Sequence, residues 1–218
     1  MSVAQTLRGR LIDYDRPGSL AARSRGRRWQ LLLASLPDLA SLRVVDLGGT
    51  VESWIHAPVR PQHVTLVNLA PVTARPPEWA TVVKGDACEV SDELGPFDLV
   101  YCNSVIEHVG GFARREQLAR CVDRLAPRHW VQTPYRYFPI EPHWLFPGFQ
   151  FLPLAVRARV AVAWKINPWP SADVHDGVYD SLCVELLTKT EMAHLFPKST
   201  ILMERSCGMV KSLIACRT

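Results

Sequence analysis

The segment at residues 42–52, Leu-Arg-Val-Val-Asp-Leu-Gly-Gly-Thr-Val-Glu, constrains the fold of this chain more than any other. An apolar run ends in an acid, Asp46, and then turns through Gly48 and Gly49. A dinucleotide-binding strand instead runs directly into its glycine-rich turn, and its acidic residue follows about 20 positions later. Asp46 is therefore expected at the carboxyl end of the first strand, where a carboxylate can meet a cationic ligand group such as an amino-acid ammonium.

Strand and helix patterns alternate over the first 133 residues, which is typical of a parallel sheet covered by helices on both faces. The carboxyl ends of such strands form the ligand crevice. We therefore expect the polar strand ends to converge on one site. The predicted strands are Arg43–Leu47, His63–Asn68, Thr81–Lys84, Phe97–Asn103 and His129–Thr133, and the polar ends are Asp46, Asn68, Asp86 and Asn103.

Apolar periodicity predicts helices at Ser19–Ser35, Phe112–Leu125 and Thr190–Leu195. Two later β-like runs, Thr200–Met203 and Lys211–Ala215, are so close in sequence that they can only pair antiparallel. The sequence thus predicts an α/β fold, a Rossmann-like doubly wound seven-stranded sheet with an antiparallel last strand and helices on both faces.

The composition narrows the choice of partner and compartment. The net charge is +4, but the first 28 residues hold seven arginines and two aspartates, so the rest of the chain is close to neutral. Such a basic arm is either a solvated amphipathic helix or a binding surface for an anion such as nucleic acid. The six cysteines form no Cys-x-x-Cys pair, and neither a secretory signal nor an apolar run of about 20 residues is visible. We expect a cytoplasmic protein with reduced thiols and no membrane span.

The chain resembles the class I S-adenosylmethionine-dependent methyltransferases, and in particular the small bacterial enzymes of the type 11 group, in which three of its segments recur in the same order. They are Asp46–Thr50, Asn103–Val109 and Thr133–His143. The resemblance covers most of the chain and implies S-adenosylmethionine as cofactor. It departs from a full Asp-x-Gly-x-Gly-x-Gly loop, which would have glycine at Thr50 and Glu52.

The resemblance also implies roles for particular residues. Asp46 would face the methionine part of the cofactor, and the glycines would let the backbone approach it closely. Asn68 stands where the family usually has an acid that bonds the ribose, so it would give a weaker bond. The implied cofactor-binding residues are Asp46, Gly48, Gly49 and Thr50 at the methionine, Asn68 and Leu69 at the ribose, Asp86 and Ala87 at the adenine, and Asn103 and Ser104 near the sulfonium.

The chain is expected to be one domain over residues 1–218. Its predicted parts are an N-terminal helical arm at 1–36, a cofactor-binding core at 37–133, an insertion at 134–180, and a C-terminal helix and hairpin at 181–218. The insertion after the fifth strand holds 10 of the 19 aromatic residues and seven of the 17 prolines. Stiff apolar walls of this kind favour a lid or substrate pocket over a purely structural excursion.

A sulfonium methyl is already electrophilic, so the protein needs mainly to position the nucleophile, and a base is required only to remove a proton. His108, which follows the fourth strand, is the first candidate base, and His143 is the second. Glu141 either orients His143 or pairs with an arginine of the N-terminal arm. Glu107 and His108 also resemble the Glu-His pair of some related methyltransferases that bind a divalent metal. We expect no metal, because the further ligands would have to come from the insertion, at His143, Asp173, His175 and Asp176.

The predicted function is methyl transfer to oxygen, nitrogen or carbon of a small-molecule acceptor, an aromatic, polyketide-like or glycosylated product of secondary metabolism. One alternative keeps the fold but catalyses a cyclisation or rearrangement without net methyl transfer. A second alternative is RNA methylation that uses the basic arm, although no Asn-Pro-Pro-Tyr-like tetrapeptide follows the fourth strand. We expect a monomer or homodimer that acts on a small molecule and not on nucleic acid.

Overall fold

The computed structural model describes residues 20–69 and 75–218, and the side chains from residue 22 onward within these ranges. Most of the predicted basic arm, residues 1–19, lies outside the described residues. The predicted first helix is present as α1, Leu20–Ser35. None of the described helices combines the length and the apolarity needed to cross a membrane.

A seven-stranded sheet forms the centre of the molecule. The strands are β1 (Arg43–Leu47), β2 (His63–Asn68), β3 (Ala80–Lys84), β4 (Leu99–Asn103), β5 (Arg128–Pro134), β8 (Thr200–Ser206) and β9 (Met209–Arg217), while β6 (Ile140–Glu141) and β7 (Phe146–Pro147) form a separate hairpin. The sheet order is β3-β2-β1-β4-β5-β9-β8. Neighbours among β1 to β5 pair in parallel, and β9 is antiparallel to both β5 and β8. The predicted doubly wound sheet with an antiparallel last strand is confirmed.

Helices cover both faces of this sheet. They are α1, α2 (Val51–Ile55), α3 (Phe112–Leu125), α4 (Leu154–Ala163), α5 (Val174–Leu182) and α6 (Lys189–Leu195). Side chains that alternate along each strand divide into two apolar cores. Val45 faces the core that contains Leu118 of α3, and Val44 faces the core that contains Leu32 of α1. Both faces are buried, as a parallel sheet requires.

The predicted bounds of several elements differ from the observed ones. The bounds of α3 agree, β3 and β5 begin one residue earlier than predicted, and β4 begins two residues later. Phe97 and Asp98, predicted as strand, precede β4. The Asp98 carboxylate accepts the N–H of Arg43 at 2.8 Å, and the Asp98 N–H donates to the Arg43 carbonyl at 2.9 Å, so Asp98 stays bonded to the start of β1. Phe97 is nevertheless buried in the core.

The insertion after β5 has a small core of its own. Trp144 and Phe149 stack with ring centroids 4.1 Å apart, and Ala161 of α4 packs against them. Helices α4 and α5 touch closely, since a Cβ on Gly177 would lie 2.5 Å from the Ala158 carbonyl oxygen. The secondary structure of this segment runs to the end of α5 at Leu182, two residues beyond the predicted boundary.

Candidate functional site

A cavity of about 390 Å³ opens at the carboxyl ends of β1 and β4. Its size is in the range of small-ligand pockets. Residues from several secondary-structure elements line this cavity. Asp46, Gly48, Gly49 and Thr50 come from β1 and its turn, Asn103 and Ser104 from the end of β4, Arg28 and Trp29 from α1, and Phe138 and Ile140 from the insertion.

Asp46 is the buried carboxylate of this cavity, with only 2% of the residue exposed. Its Oδ2 accepts a hydrogen bond of 2.7 Å from Nε1 of Trp54, a residue of α2. Burial raises the pKa of Asp46 to about 7, although the bond from Trp54 acts in the opposite direction. A cationic ligand group beside Asp46 would stabilise the charged form and lower this pKa.

The two glycines allow the chain to turn beside Asp46. Gly48 has φ +80, and a Cβ there would lie 2.4 Å from a methyl of Val105. A Cβ on Gly49 would lie 1.8 Å from Oδ2 of Asp46, so no larger residue fits while the carboxylate keeps its place. Asn68 donates from Nδ2 to the carbonyls of Gly48 and Gly49 at 3.2 and 3.3 Å. These two hydrogen bonds from Asn68 stabilise the turn.

Ser104 directly follows β4 and has a left-handed backbone, φ 57, which is costly for a residue that has a Cβ. Its N–H donates to the carbonyl of Gln132, and its Oγ donates to the side-chain oxygen of the same residue at 3.0 Å. These bonds hold the strained residue against the cavity. Strain of this kind is common where a backbone must present groups to a ligand.

Helix α1 closes one side of the cavity through Arg28. The guanidinium donates to Oδ1 of Asn103 at 2.8 Å and to Oε2 of Glu204 at 2.9 Å. The sequence does not predict the pair of Arg28 with Glu204, because Glu204 lies 176 positions away in β8 and no local pattern indicates the contact.

Three aromatic rings form an apolar wall next to Asp46. Trp29 stacks on Tyr101 with centroids 6.3 Å apart, and Trp54 meets Tyr101 edge-on at 5.2 Å. Burial, followed by the nearby Asp46, raises the pKa of the Tyr101 hydroxyl, which therefore stays protonated. None of these three residues was predicted from the sequence to lie in the site.

The residues predicted at the ribose and adenine do not line this cavity. Asp86 accepts the backbone N–H of Cys88 at 2.9 Å and forms an ion pair with Arg114 of α3. Ala87 is buried, whereas Leu69 is 70% exposed directly after β2. Of the four strand-end residues expected to converge, Asp46 and Asn103 line the cavity.

The two predicted bases lie side by side, next to this cavity but outside its lining. His108 is in the turn after β4, His143 is between β6 and β7, and their Nε2 atoms are 3.1 Å apart. Nδ1 of His143 lies 2.7 Å from Oε1 of Glu141, which is 1% exposed. Glu141 also accepts the backbone N–H groups of His143 and Trp144, so its position is fixed. Of the two contacts considered for Glu141, the structure has the one with His143, and a role in orienting a base stays a prediction.

Glu107 is buried beneath these histidines with 1% of its surface exposed. Its Oε2 accepts a 3.0 Å bond from the Thr133 hydroxyl, and its Oε1 has no partner among the described residues. Burial raises the pKa of Glu107 to about 7. The pKa of His108 is lowered to about 4 by burial of its ring and then by the neighbouring His143. Burial also acts to lower the pKa of His143, but the contact with Glu141 outweighs it, so the pKa of His143 is raised.

Two groups of residues have the donor atoms to hold a metal ion. Glu107, His108 and His143 place one donor atom each within 4.8 Å of one another. Asp173, His175 and Asp176 do the same, but all three are exposed to solvent. Of the additional ligands that the sequence analysis considered, only His143 therefore joins Glu107 and His108.

No family model and no curated protein sequence matches this chain. Solved structures do. The magnesium protoporphyrin IX methyltransferase ChlM of Synechocystis, with bound S-adenosylhomocysteine, is 14% identical over 89% of this chain and 84% of its own, with a TM-score of 0.53. The small RNA methyltransferase HEN1 is 16% identical over 88% of this chain and 24% of its own, with a TM-score of 0.52.

A Rhodobacter sphaeroides protein, provisionally described as a Zn-dependent alcohol dehydrogenase, is 14% identical over 99% of this chain and 98% of its own, with a TM-score of 0.58. The chain thus has the fold of the class I S-adenosylmethionine-dependent methyltransferases. Identities this low show the fold alone, and the descriptions of the three similar proteins point to different substrates.

Proposed function

We propose that this protein is an S-adenosylmethionine-dependent methyltransferase that acts on a small-molecule acceptor. The observation that carries the proposal is the buried Asp46 carboxylate beside the Gly48–Gly49 turn, on a cavity at the carboxyl ends of β1 and β4. A methionine ammonium placed there would find a negative partner, and a sulfonium near Ser104 would lie at the open end of the strands. No other observed arrangement in the described residues combines these groups.

The remaining cofactor contacts are proposed from the resemblance and from their positions. Thr50 and Asn103 line the cavity with Asp46. Asn68, whose Nδ2 bonds the glycine turn, and Leu69 would lie at the ribose. Asp86 and Ala87 would lie at the adenine, and Asp86 would then have to accept a ligand bond in addition to the Arg114 ion pair.

The walls of the cavity favour an acceptor with a flat apolar part. Phe138, Ile140 and Leu145 of the insertion and Trp29 of α1 all contribute to the lining. Such side chains bind aromatic or polyketide-like rings well. The acceptor we propose is therefore an aromatic, polyketide-like or glycosylated metabolite, whose proton would leave toward His108 and His143.

Calorimetric titration with S-adenosylhomocysteine tests the cofactor site. We expect saturable binding to the wild type and about 10- to 100-fold weaker binding to Asp46→Ala, since a charge-assisted contact is worth about 1.5 to 3 kcal/mol. Asp38→Ala is the matched control, because Asp38 pairs with Arg128 near the start of β5, away from the cavity. Absence of binding at millimolar ligand, or equal losses in both variants, would refute the proposal.

Acceptor screening separates the three functions considered. Formation of S-adenosylhomocysteine with phenolic or glycosylated small molecules supports the proposed class. Its formation only with RNA would move the acceptor to nucleic acid, and a product formed without S-adenosylhomocysteine would indicate cyclisation or rearrangement.

A further inference from the structure

Glu107, His108 and His143 form a compact set of donor groups beside the cavity, which we name the Glu-His-His cluster. We propose that this cluster binds a divalent transition-metal cation of the kind that takes mixed nitrogen and oxygen ligands, such as Mn²⁺, Fe²⁺, Co²⁺ or Zn²⁺. One donor atom of each residue lies within 4.8 Å of the others. Two imidazoles and one carboxylate are a ligand set that suits these cations better than Mg²⁺ or Ca²⁺, which prefer oxygen.

The two imidazoles are already placed as ligands. A cation about 2.1 Å from each donor holds its ligands about 3.0 to 3.5 Å apart, and the two Nε2 atoms are 3.1 Å apart. Glu141 at Nδ1 of His143 favours the proton on that nitrogen, so that Nε2 directs its lone pair at His108. Two such nitrogens need either one proton or one cation between them.

The buried carboxylate of Glu107 favours a cation over a proton between the two imidazoles. Its side chain is buried, and Oε1 has no hydrogen-bond partner among the described residues. A proton shared by the two imidazoles would leave this oxygen unpaired, which is unfavourable for a buried carboxylate. A cation would bind the carboxylate and both nitrogens together after the carboxylate approaches by at most about 1.3 Å, because the donor atoms lie within 4.8 Å of one another and a common cation holds its ligands up to about 3.5 Å apart.

The charge of the neighbourhood also favours a cation. Glu107 and Glu141 are each 1% exposed, and within residues 20–69 and 75–218 no lysine or arginine forms an ion pair with either. Buried carboxylates of this kind are normally paired or bound to a metal. The other donor group differs in this respect, because the His175 side chain is 93% exposed and water can satisfy it.

The cation would have a use in the proposed reaction, and this consequence, unlike metal binding itself, rests on the proposed function. Three protein ligands leave coordination positions open for substrate. Ser104 and Pro142, close in sequence to His108 and His143, line the cavity, and an acceptor oxygen at this side of the cavity would be the one to occupy the open positions. The bound oxygen would lose its proton more readily. His108 and His143 would then be ligands, and the acceptor proton would pass to solvent water instead of to these histidines.

Titration of the chelator-treated protein with CoCl₂, followed by calorimetry and by the visible absorption of bound Co²⁺, tests the site without any cofactor. We expect one equivalent to bind, and Glu107→Gln and His143→Gln each to weaken binding by at least about tenfold. His175→Gln is the matched control and should leave the affinity unchanged.

The proposal is overturned if the wild type does not bind Co²⁺ in the millimolar range, if both cluster variants bind as tightly as wild type, or if His175→Gln alone abolishes binding. Circular dichroism checks that each variant is folded. Should Glu107→Gln not fold, His143→Gln decides, because this side chain is 21% exposed. Binding of S-adenosylhomocysteine is measured on the same metal-free protein, so a failed metal site and a failed cofactor site give different results.

Discussion

Replacement of Gly49 by alanine tests the packing of the turn against Asp46. The new Cβ would lie 1.8 Å from Oδ2 of Asp46, whereas ordinary contacts begin at 3.4 Å. The carboxylate must therefore move by about 1.6 Å, or the turn must shift by a similar amount. Oδ2 is the atom that accepts the Trp54 hydrogen bond, so movement of the carboxylate breaks that bond.

The expected cost follows from the lost bond. A hydrogen bond to a charged group contributes about 1.5 to 3 kcal/mol, and the buried carboxylate loses its donor as well. The lower unfolded-state entropy of alanine returns about 0.4 to 1 kcal/mol. We expect Gly49→Ala to lower the free energy of unfolding by about 1 to 3 kcal/mol and to weaken S-adenosylhomocysteine binding about tenfold or more.

Urea unfolding and calorimetric titration measure the two effects. Gly26→Ala is the matched control, because a Cβ there meets nothing within 4 Å and Gly26 lies inside α1, where alanine favours the helix by about 1 kcal/mol. If Gly49→Ala unfolds within about 0.5 kcal/mol of the wild type and binds the ligand equally well, the turn does not depend on this contact and the reasoning is wrong.

Three further predictions concern single residues. Trp54→Phe removes the donor to Asp46 and should cost about 2 kcal/mol of unfolding free energy in urea, so a loss below about 0.5 kcal/mol would contradict the account. Ser104→Gly and Ser104→Ala both lose the Oγ bond, but only glycine adopts φ 57 without strain. The glycine variant should therefore be more stable than the alanine variant by about 0.5 to 1 kcal/mol. Equal urea-unfolding midpoints would show that Ser104 is unstrained. Burial, then Arg217, lowers the pKa of His129 from 6.5 to about 4, so the contribution of neutral His129 to stability is complete above pH 6.5 and is lost as the pH falls toward 4. At pH 4.5 the wild type should therefore lose about 2 kcal/mol of its stability advantage over His129→Gln. A pH-independent difference between the two proteins would refute this.

The sheet was predictable because its strands are short apolar runs with polar ends. β1 and β2 were predicted to the residue, since Val44, Val45 and Leu47 and then Val64, Leu66 and Val67 leave little choice of bounds. The predicted start of β4 was two residues early because Phe97 is as apolar as a strand residue, whereas the polar Asp98 beside it bonds Arg43 through both its carboxylate and its backbone N–H.

The candidate site was predictable only where it is local in sequence. Asp46 and the two glycines adjoin in the chain, so their pattern indicates the turn directly. The partners Arg28 and Glu204 come from opposite ends of the described chain, and the ion pair of Asp86 with Arg114 joins a loop to α3. Such contacts depend on how helices dock on the sheet, which no residue pattern in the sequence specifies.

The Glu-His-His cluster shows the same limit. Glu107 and His108 adjoin in sequence, but their environment does not follow from the pair itself. The position of His143 depends on the β6–β7 hairpin, and the buried Glu107 has neighbours distant in sequence, such as Thr133 of β5, whose hydroxyl bonds its Oε2. The unpartnered oxygen of Glu107 could therefore be recognised only in three dimensions.

A crystal structure of the protein with S-adenosylhomocysteine tests the central claim most directly. Ligand density is expected in the cavity at the carboxyl ends of β1 and β4, with the amino group of the ligand next to the Asp46 carboxylate and the backbone of Gly48 and Gly49 against the ligand. Density at another place on the molecule, or a saturated crystal whose cavity holds no ligand, would contradict it.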